Sequence, residues 1–157
     1  MDRISERLIY YIGSEGNLGL ERIFIYKYDE NNQIEEVQHL SPSNQEIYRT
    51  YKYNWLDNNL VFWTAHDIDD ELLFEYSYDY DNKLNIWKNI PYYLETPNYL
   101  SKNNFIKTVH VDYTGPSSCN PCTNEHTDSY IYNLDDYVVK EIPNPGTPFS
   151  ATEYIYE

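Results

Sequence analysis

Glycine and methionine are scarce in this chain, at 5 and 1 of its 157 residues, whereas tyrosine alone accounts for 19. Disordered chains are poor in aromatic rings, so this composition is not that of a disordered chain, despite its many asparagines and acidic residues. No run of about 18 apolar residues occurs, which excludes a membrane-spanning helix. The first residues, Met1-Asp2-Arg3-Ile4-Ser5-Glu6, carry neither the basic start nor the apolar stretch of a signal peptide, so an exported form would have lost its leader. Basic residues are few as well: 11 Lys and Arg stand against 26 Asp and Glu, a formal charge of -15. Such a surface repels phosphate backbones and anionic membranes, which disfavours nucleic acid as a partner. It suits a cation or a basic protein, although acidic charge also serves simply to keep a sheet soluble and its edges unpaired. Gly-x-Ser-x-Gly, a phosphate-cradling glycine loop and His-Glu-x-x-His are all missing, and the expectation is a protein that is not an enzyme.

What the chain does have is alternation. From Leu72 to Tyr80 one phase reads Leu72, Phe74, Tyr76, Tyr78 and Tyr80, and the other reads Leu73, Glu75, Ser77 and Asp79. Strand side chains alternate faces with period 2, so this is a strand with an aromatic face and a mostly acidic one, and Asp81-Asn82 is expected to turn it. The pattern recurs along the chain, in Arg7–Ile12, Glu21–Tyr28, Gln33–His39, Glu46–Asn54, Leu60–His66, Phe105–Tyr113, Asp128–Tyr132, Tyr137–Ile142 and Ala151–Tyr156, with polar punctuation between the runs. Tyr28, Tyr53 and Tyr80, each followed by a polar stretch, lie 25 and 27 residues apart, a spacing that marks an array of hairpins. The expected fold is all-β: an antiparallel meander of about nine strands in one domain, residues 1–157, forming a large curved or barrel-like sheet. Ile86–Asn104 breaks the rhythm with two prolines, yet it is rich in Trp, Tyr and Leu. It is expected to fold over a face of the sheet as a lid.

No catalytic, cofactor-binding or metal-binding set can be assigned, and no cofactor is expected. The place to look for a ligand surface is where Tyr76, Tyr78 and Tyr80 meet Trp87, Tyr92 and Tyr93 of the lid. Carbohydrate, peptide or a basic protein are the candidate partners. Trp55, Trp63 and Trp87 could likewise show rings to a sugar or peptide, but aromatics on a sheet more often pair across strands. Cys119-Asn120-Pro121-Cys122, in a polar loop from Thr114 to Thr127, can close a small disulfide or stay as free thiols. Zinc would need His126, His110 or a carboxylate to complete four ligands, and a redox pair of thioredoxin type belongs at a helix N-terminus, so both rank behind. His66-Asp67-Ile68-Asp69-Asp70-Glu71 gathers oxygen ligands but lacks the glycine and spacing of an EF-hand, and reads as a solvated turn.

The tandem Tyr-x-Tyr-(Asp/Asn) hairpins resemble YD-repeat proteins of the Rhs type. More closely, Tyr76-Ser77-Tyr78-Asp79-Tyr80-Asp81-Asn82-Lys83-Leu84-Asn85, the Pro-interrupted segment, Leu100-Ser101-Lys102-Asn103-Asn104 and Tyr154-Ile155-Tyr156-Glu157 resemble an exported bacterial family of unknown function with a porin-like β fold. The resemblance runs from about Ile23 to Glu157; the chain departs from that family in lacking a lipid-attachment cysteine and in the Cys119–Cys122 loop. It implies small lipoproteins of the cell envelope or surface and a large antiparallel sheet, with no reaction to carry over. The functional expectation is a non-catalytic binding or structural protein of the bacterial envelope or surface. The alternative is an intracellular acidic immunity-type protein that covers a basic toxin, and a hydrolase using acidic residues ranks third.

Overall fold

The computed structural model describes residues 5–12, 17–85, 88, 100–116, 119–143 and 151–155. Ten strands follow in order: β1 (Glu6–Ile12), β2 (Leu18–Tyr28), β3 (Ile34–Leu40), β4 (Ile47–Leu56), β5 (Asn59–His66), β6 (Leu72–Leu84), β7 (Asn103–Asp112), β8 (Cys122–Tyr132), β9 (Val138–Pro143) and β10 (Thr152–Glu153). Each pairs with the next, giving one ten-stranded sheet in sequence order, and each pairing is antiparallel. The all-β antiparallel meander read from the alternating residues is therefore the architecture. The sheet stays open, with β1 and β10 as its edges.

Three hairpin connections share one device. Asp29 Oδ1 accepts the backbone N–H groups of Asn31 and Gln33 at 2.9 and 2.8 Å. Asp67 does the same for Asp69 and Glu71, both at 3.0 Å, and Asn133 for Asp135 and Tyr137 at 3.0 and 2.9 Å. In each turn the fourth residue, Asn32, Asp70 or Asp136, has a positive φ of 68°, 62° or 65°. Asn and Asp tolerate this left-handed region better than other side chains, and a short acceptor at the turn start satisfies amides that the ladder leaves over. The β4–β5 hairpin turns instead on Asp57 and Asn58, with φ of 51° and 66°, the two-residue geometry that matches strand twist.

These turns correct the repeat expected from the sequence. Tyr28 and Tyr53 are followed by turns, but Asp81 and Asn82 lie inside β6. The irregular pairing between Tyr80 and Leu84 absorbs these polar residues, and Asp81 Oδ1 accepts the Lys83 N–H at 2.9 Å within the strand. What recurs is the turn at Asp29, Asp67 and Asn133. The polar loop around the cysteines is shorter than expected too, because β8 begins at Cys122 and Thr123 to Thr127 pair with β7. Of the expected lid, Trp87, Tyr92 and Tyr93 lie outside the described residues, and Asn103 and Asn104 open β7.

Residues directly opposite each other in an antiparallel pair share a face, so the register sorts the side chains. One row runs Tyr26, Val37, Tyr51, Ala65, Phe74, Asp112 and Cys122 from β2 to β8. The next runs Tyr53, Trp63, Tyr76, His110 and Asn124. This is the ring face. The opposite face carries Lys27, Glu36, Lys52, Thr64 and Glu75 in one row, with Lys27 bonded to Glu36 at 2.6 Å and Lys107 to Glu125 at 2.9 Å. The apolar core lies on the ring face, where Phe24, Tyr26, Ile34 and Val37 are buried and Tyr51, Tyr53 and Leu100 pack against them. Each such side chain contributes about 1.5–3 kcal/mol on full burial.

Leu100 reaches that core because the chain before β7 is tied down. The fully buried Ser101 Oγ accepts the Leu60 N–H at 3.0 Å, and Lys102 N–H donates to Asn58 O at 2.9 Å. Asn59 and Asn103 bond each other twice, at 3.0 and 2.9 Å. These bonds satisfy polar groups that would otherwise be buried without partners.

Candidate ligand-binding face

The ring face carries a continuous aromatic track. Centroid separations are 4.3 Å from Phe24 to His39, 4.6 Å from His39 to Tyr51 and 5.7 Å from Tyr51 to Trp63. Trp63 and Tyr76 then stack at 4.5 Å, within 6° of parallel, and Tyr76 stacks on His110 at 4.4 Å. The track crosses six strands, β2 to β7. Because cross-strand neighbours sit about 5 Å apart, rings standing on the sheet stack on one another. Both faces of Tyr76 are thus covered.

Among the residues expected at a ligand surface, Tyr76 is half-buried in the middle of this stack, with its hydroxyl pKa raised by burial and then by the Asp112 charge. Tyr78 is buried and accepts a hydrogen bond from Trp63 Nε1 at 2.9 Å. Tyr80 donates its hydroxyl to Leu60 O at 2.6 Å and meets Ser101 Oγ at 3.0 Å, and burial raises its pKa. Tyr78 and Tyr80 are therefore committed to the interior, while Trp87, Tyr92 and Tyr93 lie outside the described residues. Trp55 Nε1 is likewise engaged, donating to Ile34 O at 2.8 Å.

The other end of the track is basic. Arg49 stands opposite His39, and His39 opposite Phe24. On the other side Arg7 pairs with Phe24 and Arg22 with Ile9. The Arg7 guanidinium lies 5.9 Å from the Phe24 ring centroid. Burial, then the charges of Arg49 and Arg22, lower the His39 pKa to about 4, so the imidazole is neutral at physiological pH. Arg7, Arg22 and Arg49 are every arginine among the described residues, and their pairings put them all on the ring face. Lys27, Lys52 and Lys107 stand on the opposite face. The sequence does hold a signal for this: Arg22-x-Phe24-x-Tyr26 and Arg49-x-Tyr51-x-Tyr53 each place an arginine in phase with an aromatic row.

The remaining sequence candidates do not gather into a metal or redox site, although Cys122, His110 and His126 stand on the ring face. Cys119 and Cys122 are joined by a disulfide. A Cβ on Gly115 would come within 2.6 Å of Cys119 O and 3.0 Å of Cys122 Sγ, so a glycine is needed where the chain closes on itself there. His126 Nε2 is engaged by Asp128 at 2.7 Å and His110 by the ring stack. In the His66–Glu71 stretch, Asp67 caps its own turn and Asp70 bonds Lys52 at 2.8 Å, which lowers the Asp70 pKa. Among the described residues no group of three or more His, Cys, Asp or Glu side chains could hold a metal ion, and no helix is long and apolar enough to cross a membrane.

No family model matches the chain, and no curated protein does. A crystal structure of a porin-like protein from Bacteroides vulgatus is similar over 97% of this chain and 73% of its own, with a TM-score of 0.52 and 12% sequence identity. What the two share is the fold.

Proposed function

We propose that this protein is a non-catalytic binding or structural protein of the bacterial cell envelope or surface, and that the ring face is where it binds. The observation that carries the proposal is the sorting of side chains: the aromatic track and every described arginine on one face, the Lys27–Glu36 and Lys107–Glu125 pairs on the other. Aromatic and arginine side chains are the types enriched where proteins make contacts, and one face of an open sheet offers them as a single surface. The Cys119–Cys122 disulfide suits an oxidising compartment. The porin-like fold of the structural neighbour, together with the resemblance to exported proteins with Tyr-rich hairpins, supports the envelope as that compartment.

Two experiments test the proposal. In fractionated source cells the protein should follow the envelope, and recovery with the cytosol would overturn the location. On a glycan and peptide array the wild type should retain ligands that a Tyr76→Ala variant loses, and an array without any retained ligand would overturn the ring face as a binding face. The net charge of -15 supports one other reading, an acidic antagonist that covers a basic toxin. Cytosolic recovery together with capture of a basic protein would favour it.

A further inference from the structure

We infer that the arginine end of the ring face is a binding site for a carboxylate group, with Arg22 and Arg49 as its cations and Phe24 and His39 as its floor. This deepens the proposed use of the ring face by naming the chemistry that the face selects.

Charge is unevenly distributed: in a chain of net charge -15, Arg22 and Arg49 on one face beside His39 make a local positive focus. Among the paired strand residues, the ring-face carboxylate closest to Arg49 in the register is Asp112 on β7, three strands from β4. The lysines opposite are already engaged, Lys27 by Glu36, Lys52 by Asp70 and Lys107 by Glu125, at 2.6, 2.8 and 2.9 Å. Hydrogen bonding at Arg49 is incomplete as well. Arg49 Nε is buried with no hydrogen-bond partner among the described residues. A guanidinium presents a fixed fork of donors that matches a carboxylate in two parallel bonds.

Among the described residues Arg22 has one counter-ion, Glu21 at 3.5 Å, with the two side chains 51% and 45% exposed. Exposed pairs of this kind are weak, so a ligand carboxylate competes with Glu21 on favourable terms. His39 brings a hydrogen-bonding nitrogen without a further charge, and the Arg7 guanidinium over Phe24 bounds the site on the β1 side. The aromatic track leads away from it across β4 to β7.

The test is calorimetric titration at neutral pH with trigalacturonate, triglutamate and maltotriose. The proteins compared are wild type, Arg22→Gln, Arg49→Gln and, on the opposite face, Lys27→Gln. The acidic probes should bind more tightly than maltotriose, with affinity that falls as salt rises. Each arginine variant should weaken them at least about tenfold, the equivalent of about 1.4 kcal/mol, while Lys27→Gln leaves them unchanged. The stronger of the two acidic probes then names the source of the carboxylate, saccharide or peptide. Arg22 is exposed, so its variant keeps the test valid even where Arg49→Gln fails to fold, which near-ultraviolet circular dichroism would show. Acidic probes that bind no better than maltotriose, or that bind the Arg22→Gln protein as they bind wild type, would overturn the carboxylate site. In that case array ligands lost on Tyr76→Ala would leave the ring face standing as a binding face.

Discussion

His39 lies between Phe24 and Tyr51 and beside two guanidinium groups, and its pKa in the fold is about 4. In the unfolded chain it takes up a proton near pH 6.5. Between those values the unfolded state binds the extra proton, so acidification through this window removes stability. A His39→Gln variant should therefore lose less stability than wild type when the pH is lowered from neutral to about 4, read as the shift of the urea midpoint in the two proteins. An equal shift in both would mean that His39 does not titrate in this way. Ser101 has no such pH signature. Its buried hydroxyl holds the Leu60 N–H and meets the Tyr80 hydroxyl, so Ser101→Ala should cost about 1–3 kcal/mol by leaving a buried donor unpaired. Equilibrium unfolding in urea measures it.

At the scale of single elements, β6 shows what the sequence made legible and what it did not. Its alternation from Leu72 to Tyr80 is visible because it is local, and the strand is there. Its end is not local. Asp81 and Asn82 favour turns, but Tyr80 pairs with Phe105 and the Tyr132 hydroxyl donates to Asp81 from β8, so distant strands hold the polar residues inside the ladder. The first half of β8 hides for a related reason, although Asp128–Tyr132 is legible: Thr123-Asn124-Glu125-His126-Thr127 has no apolar phase, and its pairing with β7 is what makes it part of the strand. The arginine site is not local either: Arg7, Arg22 and Arg49 lie on three strands, and only the pairings of Arg7 with Phe24, Phe24 with His39 and His39 with Arg49 bring them together. The loop before β8 carries its own prediction. The disulfide spans residues only 3 apart, and the chain-entropy relation gives so short a loop about 2 kcal/mol at most. Comparing the mass of the protein with and without reductant should show the bond, and its reduction should lower stability by no more than that amount. Free thiols carrying stoichiometric zinc would contradict it.

For the molecule as a whole, the open meander sets a gradient of local stability. Strand β10 has two exposed residues, and β1 leaves Leu8, Tyr10 and Tyr11 exposed at the other edge. Strands β5 to β7 carry the ring stack and the Ser101 tie. Amide hydrogen exchange should accordingly be slowest in β5, β6 and β7 and fast in β1 and β10, and uniform protection would contradict that gradient. The sequential order of the strands also bears on how the chain reaches its fold. Every pairing joins neighbours in sequence, so each can form by closing the hairpin next to it, and the entropy of closing a loop grows as about (3/2)RT ln n with its length. The Asp29 turn joins residues 4 apart, whereas the Ser101 bond to Leu60 spans 41. Folding therefore zips from hairpin to hairpin at the speed of a chain with low contact order, with the Ser101 tie closing late. In stopped-flow measurements Ser101→Ala should speed unfolding while leaving the folding rate nearly unchanged, since a contact made after the transition state governs escape from the fold and not entry to it.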